Sequence, residues 1–171
     1  MPVNIAIMPF AKELDFEKAI ATQLSQHGWE PAVILNPTEE QLIKNWAAIL
    51  YNNNRDKNRL GDFPLTATEM QQVIDQVNKC KNPYEINKLI NGGLVQIKRD
   101  NKDDLINYGK EVYLKIFDAK EIRAGQSVYQ IVRQPKFETK HPLASTRRGD
   151  VMLLINGMTV IHIELKRSGV D

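Results

Sequence analysis

The segment of residues 147–170, RRGDVMLLINGMTVIHIELKRSGV, constrains the fold of this chain more than any other stretch. It contains two apolar runs separated by Asn156-Gly157, a dipeptide typical of β-hairpin turns. Asp150 stands at the start of the first run, and Glu164 and Lys166 stand at the end of the second. Charges within apolar strands are costly unless they are paired or bound to a metal. Three charges that converge on one end of a hairpin therefore predict a functional site.

The register of this hairpin decides whether the charges meet. Side chains alternate along a strand, so His162, Glu164 and Lys166 share one face. A two-residue turn would point Asp150 away from Glu164. A three-residue loop over residues 155–157 would instead pair Asp150 with His162 and place Glu164 diagonally beside it, roughly 7–8 Å away between backbones. We expect the three-residue loop, because it alone gives the charges partners.

Two acids and an amine in this arrangement suit metal-assisted hydrolysis of a phosphodiester. Oxygen ligands favour Mg²⁺, which is commonly held by one or two carboxylates together with substrate phosphate. Asp150 and Glu164 are the predicted anionic ligands, and the backbone carbonyl of Leu165 is a predicted third. Lys166 is expected to orient or deprotonate the attacking water and to stabilise the developing negative charge.

Asp150, followed after thirteen residues by Glu164-Leu165-Lys166, resembles the signature of PD-(D/E)XK nucleases, with Gly149 where many members carry proline. Four further stretches, FEKAIATQLSQHGWE, NWAAILYNNN, GKEVYLKIFD and YQIVRQPKF, add to the likeness. Together with the hairpin they resemble the N-terminal nuclease region of the type I restriction endonuclease R subunit. The resemblance covers nearly the whole chain, from about Phe16 to Val170.

This resemblance implies a single nuclease domain over residues 1–171, forming the N-terminal part of a larger subunit. It implies Mg²⁺ as cofactor and double-stranded DNA, cut without reading the local sequence, as substrate. It further implies methyltransferase and specificity subunits as partners and an ATP-driven translocase after Asp171. The chain contains no G-x-x-x-x-G-K-[ST] phosphate loop, so ATP is expected to act only through that translocase.

Several residues are weaker candidates. Related nucleases often bring a helical acid near the metal, which makes Glu17 a possible supporting residue; the alternative is an exposed first-turn acid. His162 lies on the face of the site, but a single histidine more often fills a half-buried position than binds zinc. Four basic residues are candidates for DNA-phosphate contacts, with ordinary solvated charge as the alternative: Lys140, Arg147, Arg148 and Arg167.

Composition limits the alternatives. The net charge of +2 gives no general basic surface, so contacts with nucleic acid must come from local patches. No apolar run approaches the ~20 residues that span a membrane, and the N-terminus lacks a signal-peptide pattern. Cys80 is the single cysteine, which fits a reducing cytoplasm. We expect a cytoplasmic protein without a membrane partner.

The remaining pattern predicts an α/β domain with a PD-(D/E)XK restriction-endonuclease-like core, in which N-terminal helices precede a mixed, largely antiparallel sheet. Residues 135–145 look like a linker. The predicted helices begin at Phe16, at Thr38, at Thr66 or Thr68, and at Tyr84. The predicted strands cover residues 94–97, 112–117 and 128–132 and the two arms of the hairpin.

Two other functions remain open from the sequence. The chain could be a non-catalytic DNA-binding or coupling module of the same subunit. It could also be a stand-alone repair or junction nuclease of the same fold. Loss of divalent-ion binding in a variant of Asp150 would argue against the first, and a helicase-type motif after Asp171 would argue against the second.

Overall fold

The computed structural model describes residues 13–137 and 147–165. Its elements, in chain order, are α1 (Glu13–Gln26), β1 (Ile34–Leu35), α2 (Glu39–Asn53), α3 (Ala67–Val77), α4 (Pro83–Ile90), β2 (Leu94–Lys98), β3 (Glu111–Lys115), α5 (Ala119–Arg123), β4 (Tyr129–Arg133), β5 (Lys136–Phe137), β6 (Arg147–Arg148), β7 (Val151–Ile155) and β8 (Met158–Ile163). The predicted α/β class with helices first is confirmed. The elements that the sequence did not predict are α5 and the two-residue strands.

Capping boxes set the starts of α2 and α3. The Thr38 hydroxyl accepts the Gln41 N–H, and the Gln41 side chain accepts the Thr38 N–H at 2.9 Å. Thr66 and Glu69 form the same pair of bonds at the start of α3, so Thr66 and not Thr68 opens that helix. None of the helices in the described ranges combines the length and apolarity needed to cross a bilayer.

A four-stranded sheet in the order β1-β4-β7-β8 carries the C-terminal hairpin. β1 runs parallel to β4, and the other pairs are antiparallel. On one face, residues of α1 pack against β4 and β7; this cluster contains Ala21, Leu24, Ile131, Val151 and Leu153. The sheet is therefore mixed and largely antiparallel, as predicted, and compatible with a nuclease-like core.

The larger apolar core lies around the β2–β3 hairpin. Buried side chains from α2, α3 and both strands form it, among them Leu50, Val73, Ile97 and Leu114. Its strands form a separate two-stranded sheet, and α3 packs on β2. The molecule thus has a helical half built on this hairpin and a half built on the four-stranded sheet.

The predicted linker is wrong at its first residues. Lys136 and Phe137 form β5, which pairs antiparallel with Arg148 and Arg147 of β6. Pro37 accepts the Lys136 N–H at 2.8 Å, which ties this short ladder to the start of α2. Residues 138–145 of the predicted linker lie outside the described part of the chain.

Candidate active site at the open end of the hairpin

The loop between β7 and β8 has two residues, so the predicted three-residue loop is wrong. Ile155 pairs with Met158, which leaves Asn156 and Gly157 as the turn. Their φ angles are 51° and 82°. Positive φ at both central positions is the requirement of a type I′ turn, which Asn-Gly satisfies at little cost.

Contacts from other elements hold this turn. The buried Asn156 side chain accepts the Val128 N–H at 3.0 Å and donates to the Ile116 carbonyl at 3.3 Å. Gly157 lies against α2, where a Cβ would stand 2.7 Å from the Cα of Trp46. These contacts fix the short loop from outside the hairpin.

A β-bulge then shifts the register of the hairpin. Leu154 pairs with Thr159, but Leu153 pairs with Ile161, so Val160 is an extra residue in β8. A bulge of this kind sets two residues of one strand against one of its partner. It reverses the facing of every β8 residue that follows, relative to a regular two-residue hairpin.

The register after the bulge fixes which residues follow the last pair of the hairpin. Val151 and Ile163 form the last pair of the ladder, so Asp150 and Glu164 are the next residues on the two strands. The expected pairing of Asp150 with His162 is wrong, because His162 lies opposite Met152. The two acids therefore lie at the same open end of the hairpin, just beyond its last pair.

Asp150 is anchored to both neighbouring strands. Its Oδ2 accepts the backbone N–H of Leu165 at 2.5 Å, across the hairpin. Its carbonyl accepts the N–H of Gln134, just after β4, at 2.8 Å. The side chain is half-buried. The carboxylate is therefore held at the end of β8, next to the residue whose carbonyl is a predicted ligand.

Glu164 and His162 are exposed, contrary to expectation. Their side chains are 62% and 43% accessible, and His162 Nε2 lies 3.2 Å from Glu164 Oε1. Ile161 is also 49% exposed. Among the described strands β8 is an edge of its sheet, so the half-buried position expected for His162 is wrong. Water solvates the Glu164 carboxylate, so placing its charge at this strand end costs little free energy.

Glu17 is buried, so the alternative that it is an exposed acid in the first turn of its helix is wrong. It is 2% accessible, and its Oε2 accepts bonds from Arg133 Nε at 3.0 Å and from an Arg133 terminal nitrogen at 2.8 Å. Gln134 Nε2 donates to both Glu17 oxygens, at 3.3 and 3.1 Å. Glu17 is thus joined to the residue that binds the Asp150 carbonyl. The sequence did not single out Arg133, since no local pattern links it to Glu17.

The remaining predicted residues are only partly described. Lys166, Arg167 and Lys140 lie outside the described ranges, and of Arg147 only the backbone is described. Arg148 is exposed beside the site. Within residues 13–137 and 147–165, no group of three or more His, Cys, Asp or Glu side chains could hold a metal. Of the two predicted anionic ligands, Asp150 and Glu164, both side chains are described.

Known proteins are similar in sequence to this chain over almost its full length. The family model described as the N terminus of type I restriction enzyme R protein matches residues 10–171. Type I restriction enzyme endonuclease subunits of Staphylococcus saprophyticus and Staphylococcus aureus are 32% and 30% identical over 164 residues. Each match covers 96% of this chain and 16% of the relative, so the chain spans a small part of these proteins' length. The chain belongs to the family of type I restriction enzyme R protein N termini.

Proposed function

We propose that this chain is the Mg²⁺-dependent endonuclease domain of a type I restriction-modification R subunit and cleaves double-stranded DNA by phosphodiester hydrolysis. The observation that supports the proposal is the hairpin register, whose last pair, Val151 and Ile163, adjoins the two acids that the family signature predicts as metal ligands. The names of the similar proteins, which are endonuclease subunits, support the same reaction class.

The donor set fits a magnesium ion. Two carboxylates and the Leu165 carbonyl are all oxygen ligands, which Mg²⁺ prefers. Glu164 is open to solvent, and this exposure suits an ion that keeps several of its waters. Bound Mg²⁺ would supply a Lewis acid that polarises the scissile phosphate and lowers the pKa of a coordinated water.

Basic residues near the two carboxylates would supply the other catalytic and DNA-binding groups. Lys166 follows Glu164 by two residues, and in a continued strand it would face the same way. Its amine would orient or deprotonate the attacking water and stabilise the negative charge of the transition state. Exposed Arg148, with Lys140, Arg147 and Arg167, would bind backbone phosphates and position the duplex without reading its sequence.

The proposal places this domain, residues 1–171, in a larger cytoplasmic assembly. A translocase region elsewhere in the R subunit would bind ATP and drive DNA past the nuclease. Methyltransferase and specificity subunits would modify and recognise the target. The 16% share of the relatives that this chain covers leaves ample length for such a region.

The test uses the full-length protein and three substitutions: Asp150→Asn, Glu164→Gln and Lys166→Ala. Each is expected to abolish cleavage of double-stranded DNA while ATP hydrolysis continues, because translocation would not need these groups. Asp103→Asn, which neutralises an exposed acid in the loop after β2, is the matched control and should cut normally.

Calorimetric titration with Mg²⁺ separates a catalytic site from a DNA-binding module. Asp150→Asn is expected to lose a binding event that the unaltered protein and the Asp103→Asn control both show. Cleavage by Asp150→Asn at the normal rate, with unchanged Mg²⁺ binding, would show that the proposed function is wrong.

A further inference from the structure

The imidazole of His162 lies directly against Gly149, the residue before Asp150. A Cβ built on Gly149 would stand 2.6 Å from His162 Nε2 and 3.3 Å from its Cε1. Gly149 is buried but is not among the glycines with positive φ. The backbone conformation at this position would therefore accept other residues. A Cβ here would instead meet the imidazole of His162 and, at 3.3 Å, the Cγ of Pro135.

The direction of the side chain adds a second observation. His162 pairs with Met152, yet its ring reaches Gly149, three residues nearer the open end of the hairpin. The ring therefore lies along the hairpin towards the end that carries the two acids. The same Nε2 that faces Gly149 lies 3.2 Å from Glu164 Oε1.

The two contacts together give His162 a role that its exposure alone would not suggest. Glu164 belongs to an exposed strand end, where a long side chain samples many rotamers and loses that freedom when it binds an ion. A neighbour that fixes the carboxylate beforehand reduces this loss. Outer partners of metal ligands orient those ligands in the same way.

We propose that His162 is a positioning residue, seated on Gly149, that holds the Glu164 carboxylate at the end of the hairpin that carries Asp150. In this arrangement Gly149 and His162 act as a matched pair, because the missing Cβ at residue 149 makes room for the ring at residue 162. The inference rests on the proposed function, since it assumes that Glu164 binds the divalent ion.

The first experiment measures binding of Mn²⁺ alone, without DNA or ATP, to the full-length protein by electron paramagnetic resonance. Only the binding that disappears in Asp150→Asn is counted. His162→Ala is expected to weaken this binding about tenfold. His162→Gln, whose amide can place an N–H donor near the former Nε2, should recover most of the affinity. His27→Ala removes an exposed imidazole elsewhere and should change nothing.

The second experiment is a double-mutant cycle between the two members of the pair. Gly149→Ala should weaken Mn²⁺ binding in the native background, because its Cβ displaces the imidazole. In the His162→Ala background the same change should have little further effect, because the obstructed ring is gone. Independent, additive effects would show that Gly149 and His162 do not act together.

The outcomes separate this inference from the proposed function. If Asp150→Asn loses Mn²⁺ binding while His162→Ala keeps native affinity, the positioning role is wrong and the metal site stands. If His162→Gln binds as weakly as His162→Ala, donation to Glu164 is not the cause and the inference also fails. If Asp150→Asn binds Mn²⁺ as the native protein does, both the site and the positioning role are overturned.

Discussion

Each half of the molecule contains a buried arginine paired with a glutamate from a helix. In the helical half, Arg99 just after β2 pairs with Glu69 of α3 at 2.6 Å. In the sheet half, Arg133 at the end of β4 pairs with Glu17 of α1 at 2.8 Å. The chemical groups are the same, but their surroundings differ, and the difference separates a stabilising pair from one that adjoins the candidate site.

The buried polar groups around Arg99 bind one another and nearby backbone groups, and we call them the closed cluster. The guanidinium also binds Asp104 and the Phe63 carbonyl. Glu69 accepts further bonds from the backbone N–H groups of Thr66 and Asp100. The Arg99 and Glu69 side chains are completely inaccessible to solvent. This network fastens the loop after β2 to the start of α3 and leads to no surface group of the candidate site.

The Arg133–Glu17 pair is instead connected to the candidate site through Gln134. Glu17 also accepts from the Gln134 side chain, and the Gln134 N–H holds the Asp150 carbonyl. Gln134 has a φ of 56°, a left-handed value that is unusual for a residue other than glycine. Strained backbone of this kind persists where surrounding contacts determine it, and it is frequent near functional sites. We therefore expect changes here to affect the position of Asp150 as well as stability.

The largest expected effect on stability is in the closed cluster. Arg99→Met leaves Glu69 and Asp104 buried without a cation, so the free energy of unfolding should fall by about 3–5 kcal/mol. Urea denaturation measures the loss. The control is Arg55→Met, which removes an exposed ion pair with Asp62 and should cost less than about 1 kcal/mol. Equal losses in the two variants would contradict the closed-network interpretation.

A matched pair of milder changes sharpens the comparison. Glu17→Gln and Glu69→Gln each weaken one buried ion pair and keep the side-chain shape, so each should lower the free energy of unfolding by about 1–3 kcal/mol. Glu17→Gln should also weaken Mn²⁺ binding at the Asp150 site, whereas Glu69→Gln should not. Parallel stability and Mn²⁺ measurements decide the question. If both variants bind Mn²⁺ with native affinity, the Glu17 pair is structural only.

The smallest expected effect comes from a more open ion pair. The hydrogen bond from Lys115, aided by the backbone N–H of Lys120, lowers the pKa of Asp118 from its ordinary value of 3.8 to about 2. The charged form is favoured in the folded state, so its stabilisation is present above about pH 4 and is lost as the pH falls towards about 2.

Thermal unfolding between pH 5 and about 2 measures this contribution. Asp118→Asn keeps a side chain that can cap α5 and removes only the charge. It should flatten the acid limb of the stability curve slightly. An unchanged acid limb would show that the Lys115–Asp118 bond does not stabilise the folded state.

Short-range signals account for what the sequence predicted well. The starts of α2 and α3 depend on Thr38 and Thr66 and on residues three positions later, so a local pattern contains the whole cause. The turn at Asn156-Gly157 was located for the same reason. Asp150 and Glu164 are candidates because their charges stand at the ends of two apolar runs, and the spacing of the family signature supports the same choice.

Long-range contacts account for what it missed. The Asn156-Gly157 turn is a local signal, but the bulge at Val160, which sets the register after it, has no signal in the sequence. Bonds from Asn156 to Val128 and Ile116, residues 28 and 40 positions away, also hold the turn. Arg133 pairs with Glu17 across 116 positions, and no periodic pattern in the sequence predicts this pair. β1 is too short for its alternation to be seen. An apolar run such as that of β8 also cannot reveal whether its strand is central or at an edge.

The central claim is that Asp150 and Glu164 bind one divalent ion together. Diffraction from crystals of the full-length protein grown with Mn²⁺, using the anomalous signal of the metal, tests it most directly. We expect an anomalous peak in direct contact with an oxygen of each carboxylate, at the open end of the β7–β8 hairpin. A peak bound elsewhere, with the two carboxylates directed to opposite faces of the sheet, would contradict it.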